Sequence, residues 1–246
     1  MKFRNRLSAI FEMVPIGVTV ADIGTDHAYL PVELILQNKV AFAVAGDVHE
    51  GPYQAAQATV RQAGLSEKIS VRLGDGLAVL CPGEVDTVIL AGMGGSTMIA
   101  ILAASPAVTA QLKMLIMQPM NGAALLRRWL VHQGWSFDAE TLVREEGRLY
   151  EIIRVTKGIH DGAEQSQQGV VRLGDDIWQD ESLLYEIGPL LWRNKHPLLK
   201  LQLTLKIQAL EAVLEKLEQS TSLLATIKAQ QYRQQLAQLK EIIPCL

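Results

Sequence analysis

Short β-branched runs alternate with amphipathic helical segments over the first two-thirds of the chain, and this alternation limits the fold more than any other feature. Val18 to Ile23, Ala41 to Ala45, Ile69 to Arg72, Val85 to Leu90 and Met114 to Gln118 read as strands, with helical patterns such as Pro52 to Ala63 and Gly122 to His132 between them. Strand and helix at this spacing predict a parallel sheet covered on both faces, with ligands beyond the carboxyl ends of the strands. Trp135 to Leu142 and Arg148 to Val155 follow with no helix between, so they should form an antiparallel hairpin at one sheet edge.

The stretch Thr87 to Leu112 holds no charged residue over 26 positions, but Gly92, Gly94, Gly95 and Ser96 interrupt it. It therefore reads as a buried strand, a glycine turn and a buried helix rather than a membrane span. Cys81 and Cys245 stand 164 positions apart, with no CxxC pattern and no disulfide framework. That usage, and an opening MKFRNRLSAIFEMV without an uninterrupted apolar core, predicts a reducing, cytoplasmic location without a secretory signal. No metal site, membrane contact or protein partner is implied.

Glycine and charge divide the chain. Of 19 glycines, 18 precede Gly188 and none follows it. Residues 187–246 carry 8 basic and 4 acidic residues, although the whole chain has a net charge of −3. Leu203, Ile207, Leu210, Leu214 and Leu217 step by 4, 3, 4 and 3, a heptad seam. After a polar turn at Glu218 to Ser222, a second apolar series, Leu224, Ile227, Leu236, Leu239 and Ile243, runs to Pro244. Two helices of about 20 residues in an antiparallel hairpin are expected, roughly 30 Å long. The expected division is residues 1–160 as one domain and 161–246 as a helical one.

Carboxylates recur at the predicted strand ends. Asp22 ends the first strand and Gly24 makes a tight turn, so the N–H groups of Thr25, Asp26 and His27 face a bound ligand. The three-glycine dinucleotide pattern is absent, and an acidic residue before the first glycine disfavours a pyrophosphate. It suits a cationic, amine-bearing ligand such as S-adenosylmethionine. Asp47 is placed to accept from ribose hydroxyls, and Asp75 with Gly76 to meet an adenine ring. Taken alone, each aspartate reads equally as a turn residue. Gly92, Met93 and Gly94 in AGMGG allow close backbone approach to a flat group, and Gln118 and Asn121 in QPMNG add polar atoms on the same rim.

DIGTDHAYLP at 22–31, GDG at 74–76, AGMGG at 91–95, QPMNG at 118–122 and EEGRLYEII at 145–153 together resemble the bacterial tRNA (adenine-22-N1)-methyltransferases. EIGPLL and HPLL in the helical extension are also similar. The resemblance implies a Rossmann-like class I methyltransferase with a mostly parallel seven-stranded sheet, S-adenosylmethionine as donor and tRNA as acceptor. It differs from the usual Gln-Pro-Asn by placing Met120 before Asn121. Methylation at adenine N1 needs little general base, because the lone pair is already free; Asp26 and His27 are the candidates to take a proton from the exocyclic amine. A folded RNA must present its base unpaired and meet local cationic surface. Lys2, Arg4 and Arg6, Arg127 with Arg128, and Lys195, Lys200 and Lys206 are the candidate patches. A small-molecule methyltransferase, a non-catalytic S-adenosylmethionine binder and a nicotinamide-dependent oxidoreductase are the alternatives.

Overall fold

The computed structural model of the chain describes residues 5–157, 181–219 and 222–245. The first unit, Met1–Glu164, contains α1 (Asn5–Met13), β1 (Val20–Ile23), α2 (Tyr29–Leu36), β2 (Ala43–Asp47), α3 (Glu50–Gln62), β3 (Ile69–Leu73), β4 (Thr87–Met93), α4 (Gly95–Ala104), α5 (Pro106–Gln111), β5 (Met114–Pro119), α6 (Ala123–His132), β6 (Trp135–Glu145) and β7 (Arg148–Lys157). The seven strands lie in the order β3-β2-β1-β4-β5-β7-β6. β1 to β5 pair in parallel, and the β6–β7 hairpin joins antiparallel through β7.

Alternation along each strand splits the core into two layers. Val20, Ile89 and Ile116 point to one side, where Ile10, Leu34 and Val60 cover the sheet. Ala21, Val88, Leu90, Leu115 and Met117 point to the other, against Met98, Leu102, Leu126 and Leu130. Both faces are thus dry, which is why the parallel strands read as unbroken apolar runs. The uncharged stretch 87–112 is β4, α4 and α5 of this core, and among the described residues no helix is long and apolar enough to cross a membrane.

Strand bounds shift at β4, expected over 85–90 and found at Thr87–Met93, and at β2, expected over 41–45 and found at Ala43–Asp47. Gly46 pairs with Ile23 on one side and Arg72 on the other, so ladder bonds carry the strand two residues past its apolar run. Asp47 consequently sits at the end of the strand.

The second unit, Gln165–Leu246, contains α7 (Glu181–Ile187), α8 (Pro189–Arg193), α9 (Leu199–Glu218) and α10 (Leu223–Ile242). The expected domain boundary after residue 160 lies outside the described residues. Pro189 starts α8 at a position where its missing N–H costs nothing, and the Ser222 hydroxyl caps α10 by accepting from Ala225 N at 3.1 Å. α9 and α10 are antiparallel: Glu218 pairs with Arg233 and Glu211 with Lys240, so seven residues back along one helix match seven forward along the other. On α9 the expected seam is correct at Leu203 and Ile207, both buried. On α10 it is corrected. Leu224 and Ile227 are exposed at 74% and 47%, while Ala225, Ala229 and Leu239 are buried. The small alanines let the helix axes approach, and they fall on the heptad phase that Leu236 and Leu239 set.

Candidate active site

The parallel strands all end on one rim, and the β1, β4 and β5 ends enclose a cleft of about 490 Å³. Its walls include Asp22, Gly24, Thr25, Asp26, His27 and Gly92 from the expected set. Asp47, Asp75, Gly76, Met93, Gly94, Gln118 and Asn121 stand on or behind the same rim but do not line that cleft. Arg6, Tyr29, Met120 and Tyr150 do. Of these, Arg6 was expected only as part of a basic surface, and Tyr150 was visible only as a letter within EEGRLYEII.

The turn after β1 is fixed by its neighbour strand. Gly24 and Thr25 both donate to the Gly46 carbonyl, at 2.8 and 3.1 Å, and Ala28 N donates to Thr25 Oγ1 at 3.2 Å. Asp22 is left 8% exposed beneath this turn, with no cationic side chain paired to it among the described residues. Burial pushes its carboxyl up to about 6; the Thr25 hydroxyl opposes that and the Asp47 carboxylate adds to it. Asp47 itself accepts from His49 N at 2.8 Å, and its Oδ1 lies 3.3 Å from His49 Nδ1. That makes His49, which has no partner pattern in sequence, a neighbour of the rim.

Asp26 and His27 are far more open, with side chains 80% and 42% exposed and 3.5 Å between Oδ2 and Nε2. The His27 ring stacks on Tyr29, centroids 5.0 Å apart at 17°. The cleft mouth thus carries an imidazole, a carboxylate and an aromatic face side by side.

Two loops close the other wall. Ala91 pairs with Gln118 and Met93 with Pro119, so Gly92 is the extra residue of a β-bulge, at φ +77°. Met120 N donates to Met93 O at 2.8 Å, and Gly95 N to Asn121 O at 2.9 Å. A Cβ on Gly95 would fall 2.5 Å from the Gly122 carbonyl oxygen, so the loops interlock only through glycine. Met93 packs against the turn after β1: its Cε lies 2.0 Å from where a Cβ on Gly24 would be.

Two expectations for substrate contact, Arg127 and Gln118, are corrected. Arg127 is 0% exposed, with Nε 2.7 Å from Glu140 and Nη2 2.8 Å from Glu151. Burial alone would lower its pKa, but the two carboxylates raise it well above the usual guanidinium value. It clamps α6 to the β6–β7 hairpin and meets no solvent. Gln118 is also 0% exposed, its Oε1 accepting from Arg6 Nη1 at 2.8 Å and its Nε2 donating to Pro119 O at 3.1 Å. Lys206, partly exposed, donates to the Glu186 carbonyl near the end of α7 and lies 3.8 Å from the Glu186 carboxylate. Lys195 and Lys200 are exposed. Lys2 and Arg4 lie outside the described residues.

Residues 3–153 match the family model described as a methyltransferase domain. The chain is 32% identical to the tRNA (adenine(22)-N(1))-methyltransferase of Bacillus subtilis over 98% of its own length and 94% of that protein. The chain belongs to this methyltransferase family. The crystal structure of the B. subtilis M1A22 tRNA methyltransferase TrmK superposes with a TM-score of 0.85, covering 98% of this chain and 99% of that one at 32% identity. A second relative, Streptococcus pneumoniae Sp1610, described as a putative tRNA (m1A22) methyltransferase, was solved in complex with S-adenosyl-L-methionine; it gives a TM-score of 0.79 and 31% identity, covering 97% of this chain and 98% of that one. The likeness to this methyltransferase family extends through the helical unit as well as the sheet, since nearly the whole chain is covered in each case.

Proposed function

We infer that this protein is an S-adenosylmethionine-dependent tRNA methyltransferase that modifies N1 of adenine 22. The observation that carries the reading is whole-chain similarity to a curated enzyme of that activity, joined to a glycine-walled cleft with a buried, unpaired carboxylate at its base. Asp22 fits a cationic donor: a desolvated carboxylate with a second carboxylate nearby gains most from a positive ligand. In this reading Asp22, Gly24, Thr25 and Gly92 hold the amino-acid end of the donor, while Asp47, Asp75 and Gly76 serve the nucleoside. Bound S-adenosylmethionine supplies an electrophilic methyl group, which the adenine N1 lone pair takes in line.

The chain's own part is positioning and the handling of one proton. The Tyr29 and His27 faces offer a stacking surface for an extruded base. Asp26, paired with His27 and open to solvent, takes the proton that the methylated, cationic ring releases from its exocyclic amine. The cytoplasm, where tRNA matures, is the location that goes with this substrate. Lys195 and Lys200 are the arm's exposed candidates for backbone contact; changing both to Glu should weaken tRNA binding and leave S-adenosylmethionine affinity unchanged.

The test is to incubate the protein with radiolabelled S-adenosylmethionine and unmodified bulk tRNA and map the label by reverse-transcription stops. A stop at adenine 22 is expected. Donor binding without transfer to RNA would overturn the tRNA reading and leave the donor site standing.

A further inference from the structure

The only lysine or arginine among the described residues lining the cleft is Arg6, and it is held there from several sides. Nη1 donates to Gln118 Oε1 at 2.8 Å, and Cζ stands 5.3 Å from the centroid of the Tyr150 ring. A Cβ on Gly92 would lie 3.6 Å from Nη1, so the β4 bulge brings bare backbone beside the guanidinium. Nε is buried without a hydrogen-bond partner, its nearest carboxylate oxygen being Glu145 Oε2 at 3.7 Å. The guanidinium is therefore oriented, and because Nε is shut away from solvent any further bond it makes is through its Nη groups. Gln118, in contrast, has spent its amide on Arg6 and on Pro119 O. What the end of β5 presents to the cleft is thus the arginine that the glutamine carries.

Resting on the tRNA methyltransferase reading, we propose that Arg6 binds a backbone phosphate of the acceptor adenosine, and that Gln118 is the positioning residue that aims it. Charge decides the target. Methyl transfer to N1 makes the adenine ring positive, so a fixed guanidinium at the base edge would oppose the reaction. At a phosphodiester the same group is complementary throughout, and its planar fork matches two phosphate oxygens. Phosphate contact also sets register without reading sequence, which is what an enzyme needs to seat one extruded nucleotide. The loose contact to Glu145, at 3.7 Å, helps to hold the arginine in place until the phosphate arrives.

The experiment uses the full chain and unmodified tRNA, comparing wild type with Arg6→Gln, Arg6→Lys and Glu145→Gln. Transfer rates are measured over a salt series and S-adenosylmethionine affinity by calorimetry. Arg6→Gln should raise KM for tRNA about tenfold or more and make its logarithmic salt dependence shallower by about one, with donor affinity unchanged. Arg6→Lys should recover part of the salt slope, because it keeps the charge and loses the fork. Glu145→Gln should lower KM for tRNA by about threefold in the wild-type background and leave it unchanged in Arg6→Gln, a coupling that a merely structural Arg6 would not produce. Wild-type KM and salt slope in Arg6→Gln would overturn the phosphate site alone. Should that variant not fold, an unchanged or raised KM in Glu145→Gln would overturn it instead. Failure of the wild type to label tRNA would bring down the functional reading, and this proposal with it.

Discussion

Arg127 in the sheet unit and Arg233 in the helical unit each clamp a carboxylate at 2.7 Å, yet they stand in opposite surroundings. Arg127 and Glu140 are wholly buried and Glu151 nearly so, with side-chain exposures of 0%, 0% and 15%. Arg233 and Glu218 are 57% and 46% exposed, and the matching pair of Lys240 and Glu211 is 54% and 43% exposed. In the first case, losing the arginine strands two carboxylates in a dry layer; in the second, water replaces the lost partner. Distance is therefore a poor guide to what an ion pair contributes, and burial is the better one. The same contrast separates the two units generally. The sheet unit buries nine polar or charged side chains among its described residues, four of them (Asp22, Thr25, Asp47 and Gln118) at the strand-end rim, while the helical hairpin buries Gln202 beside a short apolar seam.

Arg127→Ala is expected to have the largest effect, a loss of about 3 to 5 kcal/mol in denaturant unfolding. A loss no larger than that of Arg233→Ala would mean that burial does not set the value. Asp22 comes next. Its carboxyl is raised from 3.8 to about 6, so between those values the folded chain keeps a proton that the unfolded chain has released. Stability of the ligand-free protein should accordingly fall as pH rises through that window, by about 3 kcal/mol in total, and stay low above it. Asp22→Asn should flatten this profile in thermal unfolding and weaken S-adenosylmethionine binding at neutral pH. Wild-type affinity for the donor should in turn decline as pH falls below about 6, because the carboxylate must be ionised to meet a cation.

Gly95→Ala should follow, at about 1 to 3 kcal/mol, since its new methyl meets a backbone carbonyl that cannot swing away. Activity should drop with it as the two loops part. Arg233→Ala and Lys240→Ala should each change stability by less than about 1 kcal/mol, and less still at high salt. A double-mutant cycle on Glu211 and Lys240 would refine that bound.

Much of the rim was legible in the sequence because parallel strands buried on both faces must be apolar throughout, so polar residues at their ends stand out. Asp22, Gly24 and Asp47 were visible in this way, and the β6–β7 hairpin followed from two strand patterns with no helix between them. Arg127 was misread because it sits beside Arg128 and looks like half of a basic face. A signal was present: it stands four residues after Ala123 and three before Leu130, on the apolar stripe of α6. Likewise, stepping back from Leu239 and Leu236 by the heptad rule reaches Tyr232, Ala229 and Ala225, whereas following the largest apolar residues leads to Leu224 and Ile227. Arg6 offered no such cue, since its partners lie on β5 and β7, 112 or more residues away.

The layered sheet, the helical hairpin and the strand-end turns could be read from the chain alone, because hydrophobic period and turn residues are local properties that any chain segment carries with it. Which charges are dry and which are wet, that Gln118 faces inward to hold Arg6, and that Met93 packs against Gly24 emerge only in three dimensions. Those outcomes depend on what packs over each side chain, and what packs there comes from parts of the chain far away in sequence.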